Sequence, residues 1–242
     1  MKNILSFVVV FVSLISIPAF AVDFAGNGNG GFGGVIGNGQ LTLTDDGSTL
    51  SGVITRGPDN FNDAFVIYID SEASGFTSTA TFTDTADLNR ASVSAFNGTN
   101  RATINLPIAA DYAISFIPTV FSGVWKLNSA NNFTFQQAVS LSPGTNNATS
   151  YTFSLSVASI GLTPNSGQSF SFVATYLNAT NAFLSNETLS GITGFGATNP
   201  GTNTPTTLAG SLNYTIIPEP SSIALAILGI AGSLALFRHR KK

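Results

Sequence analysis

Residues 151–157 read Tyr-Thr-Phe-Ser-Leu-Ser-Val, with each large apolar side chain on an odd position and each small hydroxyl on an even one. A period of two places one face of an extended strand on a core and the other in water. Phe170, Phe172, Ala174 and Tyr176 repeat the alternation. Earlier, 41–44 and 50–55 flank Asp45-Asp46-Gly47-Ser48, and Asp-Gly between alternating runs is a strong hairpin signal. The acidic pair of that turn is explained by turn chemistry without a bound cation. Further short strands are expected at 76–83, 91–96, 101–106, 112–117, 124–127, 132–139, 151–160 and 168–176. Asn97-Gly98, Pro143-Gly144 and Pro164-Asn165-Ser166-Gly167 supply turns between them. Ten or more short strands with no amphipathic helix predict an all-β body, a β-sandwich or jelly roll.

Residues 60–72 hold the most suggestive internal stretch. Ala64 to Ile69 is a nearly continuous run of apolar, β-branched and aromatic types, which predicts a central strand buried on both faces. Asp63 and Asp70 bracket it, and a strand of that length separates them by more than ~20 Å. Glycoside hydrolysis needs paired carboxylates within about 5–10 Å, so these two do not form such a pair. Asp70 and Glu72 are candidates for calcium through oxygen ligands, against the simpler reading of solvated acids at a strand end.

Residues 25–39 contain eight glycines, and Gly28-Asn29-Gly30-Gly31-Phe32-Gly33 fits G-x-G-x-x-G by letter. The dinucleotide fingerprint also needs a strand before it, a helix after it and an acid about twenty residues on. None is legible here, so the stretch reads as a flexible or edge segment that uses glycine for positive φ.

Charge and composition remove whole classes of chemistry. Between residues 22 and 217 there are eleven acidic and four basic side chains, a balance of −7, which disfavours nucleic acid as a partner. Cysteine is absent and the single histidine is His239. Neither a nucleophile–histidine pair nor a Cys/His zinc site can therefore be assembled in the body. No cofactor is implied. Paired carboxylates remain the one catalytic option, and the body reads as non-catalytic. Tyr68, Tyr112, Trp125, Tyr151 and Tyr176 are of types that stack on sugar rings, although core burial is the usual fate of such rings. Trp125 is the candidate ligand contact among them. Six Asn-x-Thr sequons, at Asn97, Asn132, Asn147, Asn178, Asn186 and Asn213, leave glycosylation open.

The two ends of the chain concern address rather than fold. Lys2, the apolar run from Ile4 to Ile17, and the Ala-x-Ala site formed by Ala19 and Ala21 predict a signal peptide over 1–21, with an uncleaved anchor as the alternative. A body of 22–217 follows, with 196–207 expected as a polar loop or stalk and a final strand within 208–217. Next come Pro218-Glu219-Pro220, an uncharged run over 221–237, and a basic end of Arg238, His239, Arg240, Lys241 and Lys242. Seventeen residues make about 26 Å of helix, a little under a ~30 Å hydrocarbon core. The basic end should stay cytoplasmic, which leaves the body outside.

In its order of Pro-Glu-Pro, apolar helix and Arg-rich end, residues 218–242 resemble the PEP-CTERM sorting signal of Gram-negative bacteria. The resemblance covers that segment alone. It implies a membrane peptidase-transferase of the exosortase type as partner, with removal of the tail near the tripeptide. It also implies an association with exopolysaccharide and biofilm matrix. Together with the leader, it predicts passage through the Sec machinery and signal peptidase. An inner-membrane precursor facing the periplasm follows, and then delivery to the cell surface or matrix. One departure from the pattern is that no long low-complexity spacer precedes Pro218. For the body, a polysaccharide-associating module is the leading expectation. A structural or adhesive protein that binds other proteins is the alternative, and a polysaccharide hydrolase the outsider.

Overall fold

A computed structural model of the protein describes residues 20–193 and 198–218. They form fifteen strands and one short α-helix in three stacked layers. The first layer is an antiparallel sheet ordered β1 (Val22–Ala25), β2 (Gln40–Asp45), β3 (Thr49–Thr55) and β10 (Ser150–Ser156). The middle sheet runs β12 (Phe183–Thr188), β11 (Ser169–Asn178), β4 (Ala64–Asp70), β7 (Tyr112–Phe116), β8 (Ser122–Lys126) and β9 (Thr134–Val139). A short strand, β15 (Leu212–Thr215), pairs with the first half of β11, on the edge that β12 occupies further along. The third sheet is β13 (Gly191–Thr193), β14 (Thr206–Ala209), β6 (Ile104–Ala110) and β5 (Phe76–Ser78), in which β14 and β6 run parallel.

β4 shows why three layers form. Phe65, Ile67 and Ile69 point to the first sheet and meet Leu41, Leu43, Leu50 and Phe153 in one core. Ala64, Val66 and Tyr68 point the other way and join Ile104, Leu106, Val93 and Phe133 in a second. The apolar run read from the sequence is thus a strand buried on both faces, as its lack of alternation required. The Asp45–Ser48 hairpin and the alternation of β10 also form as expected. The first core is filled down to a void of about 10 Å3 among Leu41, Ile67 and Phe153.

Four expectations need correction. Of 76–83, expected as one strand, only Phe76–Ser78 pairs, and 79–83 turn away from it. Residues 91–96, expected as strand, lie largely in α1 (Leu88–Ser94). Asp87 caps it by accepting the Arg90 N–H at 2.9 Å, and Ala95 ends it at φ 46°. Seven residues are too few to show a helical repeat, and the Ser and Asn on its buried side disguised it. Ser92 bonds to the Asn89 carbonyl and to Ser115, and Ser94 to the Asp84 carbonyl, so no buried hydroxyl on that side is stranded. Residues 157–160 leave the strand for a 3-10 turn, capped by the Ser156 side chain and closed by Gly161 at φ 78°. Finally, Thr206 and Thr207 of the expected loop or stalk are strand residues of β14, so no stalk stands there. Residues 198–205 are a loop that folds back, with Gly201 and Leu184 exchanging backbone hydrogen bonds at 3.1 and 3.2 Å.

Candidate functional site

The body is pinned at its last described residues. Buried Asp45 accepts the Gly47 N–H at 2.7 Å and the Ile217 N–H at 2.9 Å on one oxygen, and the Tyr214 hydroxyl at 2.8 Å on the other. Ile216 is buried and its N–H donates to the Gln168 carbonyl at 2.9 Å. Burial, then the bond to Asp45, pushes the Tyr214 phenol up. Pro218 follows immediately and is exposed. The turn acids therefore serve the fold: Asp46 accepts the Ser48 and Thr49 N–H groups, which hold its carboxyl below the ordinary range. At the other end Ala21 is exposed and directly precedes β1. Ala19, Glu219, Pro220, the apolar run 221–237 and Arg238, Arg240, Lys241 and Lys242 lie outside the described residues. Among the described residues no helix is long and apolar enough to cross a membrane.

The glycine-rich stretch is an anion cradle, and its anion is the protein's own. Glu187, on β12, is 0 % exposed. One of its carboxylate oxygens accepts the N–H groups of Phe32 and Gly34, the other those of Ile36 at 2.8 Å and Gly37 at 3.2 Å. Consecutive residues Gly33 and Gly34, at φ 89° and 77°, turn these donors inward, as in backbone anion nests. A Cβ at Gly31 would fall 1.8 Å from the Asn199 Oδ1. That amide also accepts the Asn186 N–H and donates to the Gly31 carbonyl, locking loop to strand. The segment expected as flexible or edge chain is thus held by a buried charge more than 150 residues away.

Of the two ligand candidates within the body, Trp125 lies in a core, and Asp70 and Glu72 are each bonded to neighbours within the fold. Trp125 is 1 % exposed, in the second core between Phe121 and Phe135 at ring distances of 6.3 and 6.2 Å. It shares that core with Ala113 of β7, which stands opposite it, and with Leu127 and Phe133. Its indole N–H has no partner among the described residues. The rings that reach solvent are its neighbours, Phe121 at 52 % and Phe135 at 46 %. Asp70 and Glu72 are engaged separately: Asp70 accepts the Ala109 N–H, while Glu72 takes the Tyr112 hydroxyl at 2.6 Å and Lys126 at 2.9 and 3.0 Å. The Tyr112 hydroxyl first and Lys126 second hold the Glu72 carboxyl below its usual range. Asp111 nearby accepts the Ser71 and Glu72 N–H groups, with burial pushing its carboxyl up. Among the described residues no group of three acidic side chains is placed to hold a metal.

What the fold does assemble is a hydroxyl-lined groove of about 330 Å3 on the outer face of the first sheet. Thr44 stands opposite Ser51, and Ser51 opposite Ser154; Val53 stands between Thr42 and Thr152. The chain leaving β9 comes alongside β10, where Ser142 and Thr152 exchange backbone hydrogen bonds at 2.9 and 2.7 Å, and Ser140 and Ser142 form the wall. Gly52 is required beneath it, since a Cβ there would fall 2.2 Å from the Phe153 ring. The sequence showed hydroxyl-rich outer faces, but not which strands would stand side by side. Comparisons with protein-family models, curated proteins and solved structures find no match to this chain.

Proposed function

We propose that this chain is the precursor of an exported bacterial surface or extracellular-matrix protein, sorted by an exosortase-type enzyme. It enters through Sec and loses 1–21 to signal peptidase. It pauses in the inner membrane on a helix over 221–237, with Arg238, Arg240, Lys241 and Lys242 inside and the body in the periplasm. Processing at Pro218-Glu219-Pro220 then frees the body for the cell surface or biofilm matrix, where it associates with exopolysaccharide without catalysis. The body is read as a sandwich of the jelly-roll kind to which a third layer has been added.

One observation carries this reading: the Pro-Glu-Pro tripeptide begins on an exposed residue directly after one that the fold still holds. Ile217 is still hydrogen-bonded to Asp45, and Pro218 is already exposed. A helix-breaking handle set directly against a folded domain is what a processing enzyme at the membrane surface would meet. Replacing Glu219 with Ala in cells that contain the enzyme should leave a longer, membrane-retained species. Normal processing and release of that variant would contradict the role given to the tripeptide. The exposed pair Phe121 and Phe135, with ring centroids 5.8 Å apart, favours a second reading as an adhesive protein that meets other proteins. Association that persists without polysaccharide and is lost when both rings are replaced would select it.

A further inference from the structure

We propose that the groove on the first sheet binds a neutral polysaccharide chain, hydroxyl against hydroxyl, across β2, β3 and β10. This deepens the exopolysaccharide reading, on which it rests for the place where body and ligand would meet. The chemistry comes from the groove itself.

Two rows cross the sheet. Thr44, Ser51 and Ser154 form the first, and Thr42, Val53 and Thr152 the second. Neighbouring positions in a row are ~4.8 Å apart and the rows are separated by ~7 Å. Of the hydroxyls in these rows and the groove wall, two are engaged within the fold: that of Thr152 donates to the Ser142 carbonyl at 3.3 Å, and that of Thr42, beyond the groove's edge, to the Asp23 carboxylate at 2.7 Å. The others make no hydrogen bond to any described residue, and each can both donate and accept. A ligand that matches them must offer donors and acceptors at similar spacing along its length, as a polyol chain does. Val53 supplies an apolar spot for the C–H face of a sugar ring, and the segment carrying Ser140 and Ser142 closes one side.

Charge decides between neutral and acidic chains. No charged side chain lines the groove. Asp45 and Asp46 follow Thr44 directly. Arg56, the basic residue next to β3, gives its donors to the backbone carbonyls of Ala148, Asn147, Gly57, Pro58 and Asp59. A polyanion would find no free cation there and would approach a body that carries −7.

The test is affinity electrophoresis of the purified full chain in a polyoxyethylene detergent, since a sugar-headed detergent would compete. Gels would contain mixed-linkage β-glucan, dextran or galactomannan, with alginate as the acidic comparison. Retardation is expected in at least one neutral glycan and not in alginate. The double variant Ser51→Val, Ser154→Val should weaken it at least tenfold. Both side chains point outward and valine suits a strand, so the variant should unfold at the wild-type midpoint. The proposal is overturned by no retardation in any neutral glycan, by equal retardation in alginate, or by a folded double variant that binds as wild type. Concentration-dependent dimerisation abolished by the same variant would make this face a contact between copies, and would overturn it too. Whether the tail is processed does not alter any of these readouts, so the sorting and binding ideas fail separately.

Discussion

Replacing Glu187 with Gln probes the cradle that gives the glycine-rich segment its shape. The substitution keeps length and volume but turns one acceptor oxygen into an NH2 group. Two of the four backbone N–H donors now face a donor, either those of Phe32 and Gly34 or those of Ile36 and Gly37. A buried donor left without an acceptor costs about 1–3 kcal/mol, and the other two bonds lose their charge assistance. The Phe32 end is only half-buried and recovers part of this through water. A net loss of about 3 kcal/mol is expected, a large share of a typical stability of ~5–15 kcal/mol. For a body of this size it corresponds to a fall of roughly 6–12 °C in melting temperature. Urea unfolding followed by Trp125 fluorescence would measure it. Hydrogen exchange should show the amides of residues 32–37 losing protection before those of β4. A loss below about 1 kcal/mol, or unchanged protection of that loop, would refute the view that the carboxylate organises it.

Asp63 is half-buried, and burial first, then the nearby Glu187 charge, push its carboxyl up from 3.8 against the bond from Asn178. A raised folded value favours folding below 3.8 and loses that contribution as pH rises through it. Asp63→Asn, which still accepts from Asn178, should therefore gain on wild type as pH climbs from about 3 to 7, by less than ~1 kcal/mol. Stability curves that stay parallel over that range would contradict this. Trp125→Ala should cost about 3–5 kcal/mol as a core truncation, whereas Trp125→Phe should leave glycan retention in the electrophoresis assay unchanged. Retention lost in a folded Trp125→Phe protein would return this residue to the ligand.

Where a residue's environment is set by its immediate neighbours, the sequence could be read directly. The alternation in β10, the Asp-Gly turn and the unbroken run of β4 each act over a few residues and appear as such in the structure, whereas in β11 the face expected in water is buried at Val173, Thr175 and Leu177, two of them in the second core. Helix α1 was missed because seven residues, three of them Ser or Asn, carry no period, and its buried hydroxyls find partners in the helix itself, in the preceding loop and on β7.

Taken alone, the order of residues determined an all-β body, its lack of Cys/His chemistry, and the expectation of an address at each end. Tertiary structure alone decided what the acids and aromatics do. Glu187 is chosen as the anion of a loop more than 150 residues away, Asp45 as the clasp on Ile217, and Trp125 as a member of the second core. A carboxylate reads the same in the chain whether four amides or open water will meet it, and only the packing of distant strands supplies the difference.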